Sequence, residues 1–159
     1  MDKFIKECFD LYDKKWALVT AGNADDYNTM TISWGGIGTI WNKPAVTVYV
    51  KPVRYTHRFI DANEYFTVSF YDEEHRQALS LLGTKSGRDT DKVAEAGFEP
   101  VEVNGKAVTF KQAKVTLLCR KMYRQDLIRD TMDKEVVDKY YIGEEPHTMF
   151  IGEVVEIIK

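Results

Sequence analysis

Asn28-Thr29-Met30-Thr31-Ile32-Ser33-Trp34-Gly35-Gly36, then the Trp41-Asn42-Lys43-Pro44 turn, then Val48-Tyr49-Val50-Lys51-Pro52-Val53-Arg54-Tyr55-Thr56, is the stretch on which the fold turns. The first segment is β-prone and ends in glycines, where bare backbone can lie against a flat, hydrogen-bonding ring. The last segment ends a second strand in a basic, hydroxyl-bearing turn. Residues 51 to 58 hold Lys51, Arg54, His57 and Arg58 and no acid, in a chain of net charge −3. Pro52 fixes the backbone just before an expected helix, where its missing N–H does no harm. A helix start with free N–H groups is a ready anion site. Arg54 can fork onto phosphate oxygens and Thr56 can donate from its hydroxyl. A solvated basic helix start has the same composition.

Thr31, Ile32, Ser33 and Trp34 can offer backbone N–H groups along one strand edge, and Ser33 adds a hydroxyl. Gly35 and Gly36 then let the chain turn away without a side chain striking a ligand. A plain strand with a glycine bulge, Trp34 filling core, reads equally well from this segment alone. Side by side, a ring platform and a phosphate turn point to bound flavin mononucleotide (FMN). The turn caps a terminal phosphate, which favours FMN over FAD. Gly36-Ile37-Gly38 is not a dinucleotide fingerprint, because the third glycine is absent and no helix pattern follows.

Outward from this stretch, strand patterns cover Trp16 to Ala21, Thr29 to Trp34, Ala45 to Val50, Tyr65 to Tyr71, Ala113 to Met122 and His147 to Ile158. Lys106 to Phe110 follows an Asn104-Gly105 turn and is expected to pair with one of them. Short helices are expected over Arg54 to Ala62, Glu73 to Leu82, Thr90 to Ala96 and Met132 to Tyr140. Many strands with few helices in 159 residues favour a single-domain β-barrel with peripheral helices over a doubly wound sheet. Hydrophobic residues at 44% and charged residues at 30% are ordinary globular composition. The negative net charge argues against nucleic acid, and no apolar run is long enough to span a bilayer. The charged N-terminus lacks the apolar core of a signal peptide. Cys8 and Cys119 form no metal or disulfide pattern, so no metal is expected.

Together these pieces resemble the flavin reductase-like family, whose members have the FMN-binding split-barrel fold of Greek-key type. The likeness is densest at Ala17 to Tyr71, Leu82 to Lys92 and His147 to Val154. It implies FMN held by Thr31, Ile32, Ser33, Trp34, Lys51, Arg54, Tyr55 and Thr56. The Leu82-Gly83-Thr84-Lys85-Ser86-Gly87-Arg88-Asp89-Thr90-Asp91-Lys92 loop, with three basic residues suited to reaching an anion, looks like the family's Ser-Gly-Arg-Asp loop and adds Lys85 and Ser86; a solvated connection has similar composition. His147 resembles the family's closing-strand histidine near the nicotinamide face of the flavin, and is the candidate catalytic residue. His57 is assigned to the phosphate helix, and His75 to an exposed charged one. Trp34, Tyr55 and His147 are expected to line the open flavin face, with Lys85 near the N1–C2=O edge. The resemblance further implies a cytoplasmic homodimer that passes hydride from NADH or NADPH to FMN and electrons on to an acceptor. The alternative is a non-enzymatic FMN electron carrier resembling flavoredoxin, docking redox proteins through acidic clusters such as Asp72-Glu73-Glu74 or Gly143-Glu144-Glu145.

Overall fold

A computed structural model describes all 159 residues. Nine strands run in chain order: β1 (Ala17–Gly22), β2 (Tyr27–Ile32), β3 (Gly35–Ile40), β4 (Lys43–Val50), β5 (Tyr65–Phe70), β6 (Pro100–Val103), β7 (Ala107–Phe110), β8 (Val115–Asp126) and β9 (Thr148–Ile158). Five helices accompany them: α1 (Lys3–Asp13), α2 (Tyr55–Ala62), α3 (Arg76–Thr84), α4 (Lys92–Ala96) and α5 (Lys134–Tyr140). Seven strands form one antiparallel sheet in the order β2-β1-β5-β8-β9-β4-β3.

That order, set against the sequence, dictates the shape. β2 and β3 are the two outer edges of the sheet, yet only Ser33 and Trp34 separate them. From Ile32 to Gly35 the chain can span at most about 11 Å. The sheet must therefore curl until its edges nearly meet. They do not pair, so the barrel stays open along a seam marked by Ser33 and Trp34. The result is a mostly β split barrel.

The barrel interior takes one face of each strand: Val19 and Ala21, Met30 and Ile32, Val46, Val48 and Val50, Phe66 and Val68, Leu117 and Cys119, and Phe150. α2 closes the barrel with Phe59 and Ile60, and α1 adds Tyr12. Phe66 and Phe150 are fully buried, and each contributes about 1.5–3 kcal/mol of transfer free energy. The outer face of β1 is covered too. Leu18 packs there with Leu79 and Leu82 of α3, Val93 of α4, and Phe98 and Phe110. β1 is therefore buried along its whole length and reads as a continuous apolar run.

Two expectations are corrected. Gly35 and Gly36 do not turn the chain away; they open β3, paired with Val48 and Thr47 of β4. A Cβ at Gly35 would lie 2.6 Å from the Tyr12 ring and 2.9 Å from the Thr47 carbonyl, so α1 can pack on β3 only over a glycine. Lys106 to Phe110 pairs not with the main sheet but with Pro100–Val103, a strand absent from the sequence reading. α1 was also not anticipated. The Trp41-Asn42 turn is as expected: both residues have positive φ, the two-residue hairpin geometry that fits strand twist. No helix is long and apolar enough to cross a membrane.

Candidate functional site

β4 ends at Val50, and the chain turns into α2 through a Lys51 carbonyl that accepts from the Arg54 N–H at 3.0 Å. Arg54 is extended and caps α2 without a side-chain bond, and the Tyr55 and Thr56 N–H groups have no backbone acceptor. These donors face a cleft of about 330 Å³ lined also by Asn28, Lys85, Ser86, Arg88 and Lys92. The Arg54 guanidinium donates to the Gly83 carbonyl at 3.1 Å. Lys92 is 3% exposed and donates to the Leu82 and Lys85 carbonyls at 2.9 and 3.0 Å, at the negative end of α3.

Neither half-buried Arg54 nor buried Lys92 meets a carboxylate. Burial lowers the Arg54 pKa, and burial followed by repulsion from Arg54 pushes Lys92 down to about 8. Two desolvated cations without a counter-ion are costly unless an anion joins them. A phosphate of charge about −2 supplies one. The donor set therefore fits a phosphomonoester.

A second cleft, of about 290 Å³, adjoins the first at Arg54. It is lined by Met30, Thr31, Ile32, Ser33, Trp34, Tyr49, Lys51 and His147. β2 pairs only with β1, so alternate N–H groups along its outer edge are free for a ring's carbonyls and nitrogens. Trp34, at the seam, stands 5.1 Å from the His147 ring and 5.2 Å from that of Tyr140. His147 Nδ1 lies 2.7 Å from the Tyr141 hydroxyl. Burial, then the nearby Lys51 charge, pushes His147 down to about 4, so it is neutral at pH 7. Burial raises the Tyr141 pKa, so the phenol keeps its proton, and its hydrogen bond with Nδ1 fixes the orientation of the ring. Lys51 is paired with Glu144, and Arg129 donates to the Tyr141 and Glu144 carbonyls, tying down the segment that carries Tyr140 and Tyr141.

Sequence-based assignments divide between the two clefts. Thr31 to Trp34, Lys51, Arg54 and His147 come together in the ring cleft. Arg54, Tyr55, Thr56, Lys85 and Ser86 come together in the phosphate cleft. Lys51 lines the cleft of Thr31 to Trp34 and not that of Tyr55 and Thr56. Tyr55 does not reach the ring cleft; its ring lies beneath the Arg58 and Arg88 guanidinia, 4.9 Å from each. Lys85 pairs with Glu95 and does not line the cleft of Thr31 to Trp34. His57 bonds Thr148 at 2.9 Å and packs on Phe150 rather than serving the phosphate cleft. Of the acidic docking clusters, Glu144 is engaged by Lys51 and Asp72 by Lys114. Sequence reasoning counted Lys92 only among the three basic residues of its loop and assigned no role to Asn28. The local signal for Lys92 was its place as the first residue of α4, where a cation opposes the helix dipole.

Residues 9–158 match the model of the flavin reductase like domain. The chain belongs to this family. An uncharacterized protein of Pyrococcus abyssi is 27% identical over 145 residues, 91% of this chain and 73% of that one. The flavoredoxin of Methanosarcina acetivorans superposes with a TM-score of 0.73 at 21% identity, over 91% of this chain and 68% of that one. An FMN-binding domain of a flavin reductases-like enzyme from Shewanella baltica gives 0.68 at 19% identity, over 95% and 72%. At such identities the structural likeness speaks for the fold alone. The split barrel thus has support independent of its strand order.

Proposed function

We propose that this flavin reductase-like protein binds FMN and is an oxidoreductase that takes a hydride from NADH or NADPH and passes electrons on to an acceptor. The observation that carries the reading is the junction of the two clefts at Arg54: half-buried Arg54 and buried Lys92 without a carboxylate, and free helix N–H groups, on one side, a free strand edge on the other. Arg54, Thr56, Ser86, Arg88 and Lys92 would hold the phosphate, and Thr31 to Trp34 the ring. Flavin, when bound, supplies the hydride-accepting chemistry. The protein then has to position, tune and shield. Lys51 provides positive charge at the ring cleft, where negative charge develops on reduction. Neutral His147, oriented by Tyr141, offers its Nε2 edge for one hydrogen bond to a nicotinamide amide, and Trp34 offers it an apolar wall.

A pure electron carrier is the competing reading, and one observation favours it. Tyr140 stands edge-on against Trp34 and narrows the space a nicotinamide would enter. Anaerobic titration of the flavin-loaded protein with NADH and with NADPH decides: rapid bleaching by either supports the reductase, and bleaching by neither leaves the carrier. The reading includes a cytoplasmic homodimer. The β3 edge is unpaired, and Phe4, Phe9, Ile37 and Trp41 are exposed around it. A second copy covering that face gives a dimer by sedimentation; a monomer that holds FMN normally removes this part.

A further inference from the structure

We infer that Asn28 is a positioning residue for phosphate recognition: its side-chain amide turns the Thr56 hydroxyl proton into the phosphate cleft, so that the site distinguishes a phosphorylated flavin from riboflavin. The inference rests on the reading of that cleft as the FMN phosphate site. Asn28 lies on β2, is buried, and its Nδ2 donates to Thr56 Oγ1 at 2.7 Å. A hydroxyl carries one proton and two lone pairs. With a lone pair taken by Asn28, the Thr56 proton has to find an acceptor elsewhere. Thr56 is 1% exposed, makes no other side-chain hydrogen bond, and lines the cleft beside Arg54. A buried O–H without an acceptor is costly, so the cleft is where an acceptor belongs.

The amide is held from its other side as well. A methyl at Gly87 would run into Asn28 Oδ1, so the loop after α3 closes directly on the amide. β2, the start of α2 and the Gly87 loop thus meet at one side chain, which sets the direction of a donor it does not itself supply. Only an amide suits this place. A carboxylate would accept the Thr56 proton, withdraw it from the cleft, and repel the dianion.

The test compares FMN with riboflavin, measured by fluorescence quenching on the flavin-stripped full chain. The wild type should prefer FMN strongly. Asn28→Ala should reduce that preference on the order of tenfold, the worth of one hydrogen bond to a charged group, and Asn28→Asp should reduce it further. Riboflavin affinity should hardly change in either. In a Thr56→Val background, Asn28→Ala should have no further effect on the ratio. Gly87→Ala, which displaces the amide without entering the phosphate cleft, should shift the ratio in the same direction and covers the case of an Asn28 variant that does not fold. Equal losses for both flavins, or an Asn28→Ala effect undiminished in the Thr56→Val background, would overturn the inference and leave Asn28 a packing residue. Equal binding of both flavins by the wild type would instead overturn the phosphate reading beneath it.

Discussion

Replacing Arg54 by alanine should separate ligand affinity from stability. In the free protein this guanidinium stands in an unfavourable setting: burial lowers its pKa, its one hydrogen-bond acceptor is the Gly83 carbonyl, and its charge helps depress Lys92. Removing it deletes one hydrogen bond to a charged donor, about 1.5–3 kcal/mol. It also deletes a desolvated charge and a like-charge repulsion, terms of opposite sign and similar size. Net stability of the flavin-free chain should move by no more than about 1 kcal/mol. With phosphate present, the balance changes. The same group then forms a charge-assisted fork to a dianion, and losing it costs about 1.5–3 kcal/mol, or roughly 10- to 150-fold in FMN affinity. Urea denaturation without flavin, beside fluorescence titration with FMN, measures both quantities on one preparation. Unchanged FMN affinity would remove Arg54 from the site. A flavin-free chain weakened by several kcal/mol would show that Arg54 is structural and that the two cations do not await an anion.

The remaining expectations follow from the same two clefts. Lys92, depressed to about 8, should regain its ordinary pKa of about 10.4 beside a dianion, so FMN binding should take up protons between about pH 8 and 10, and affinity should fall as pH rises through that window; calorimetry in buffers of different ionisation enthalpy reads this directly. His147→Ala should slow flavin reduction by NAD(P)H by up to roughly 10²-fold with a much smaller change in FMN affinity, and stopped-flow traces equal to wild type would discard the orienting role. His147, at about 4 in the folded chain, lies below its ordinary value, so its contribution is present above about pH 6.5 and is lost as pH falls towards 4, where the unfolded chain takes up the proton first. Urea midpoints at pH 7 and 4.5 should therefore converge in His147→Ala relative to wild type.

What the sequence disclosed was local. The basic turn from Lys51 to Thr56 was legible because a strand end, a proline and a helix start lie within a few residues, and their chemistry does not depend on the rest of the chain. The Trp41-Asn42 hairpin and most strands were legible for the same reason. The seam was not. β2 and β3 are neighbours in sequence but opposite edges of the sheet, a fact about pairing order that no window of residues contains; two glycines after a strand therefore read as a turn rather than as the start of another strand. α1 escaped because its apolar residues Phe4, Ile5 and Phe9 are exposed, so the helix has little burial to announce.

The non-local half of the site left one local trace. A lysine as the first residue of α4 opposes the helix dipole, in a position where acids are favoured. The fold offsets that cost by delivering the Leu82 and Lys85 carbonyls from the end of α3, at 2.9 and 3.0 Å. Those carbonyls solvate the ammonium but do not neutralise it, and burial still depresses its pKa. A broken local rule that the fold only partly repairs is where function is to be sought. Here the unrepaired part is one positive charge beside Arg54, the charge that the proposed phosphate would complete.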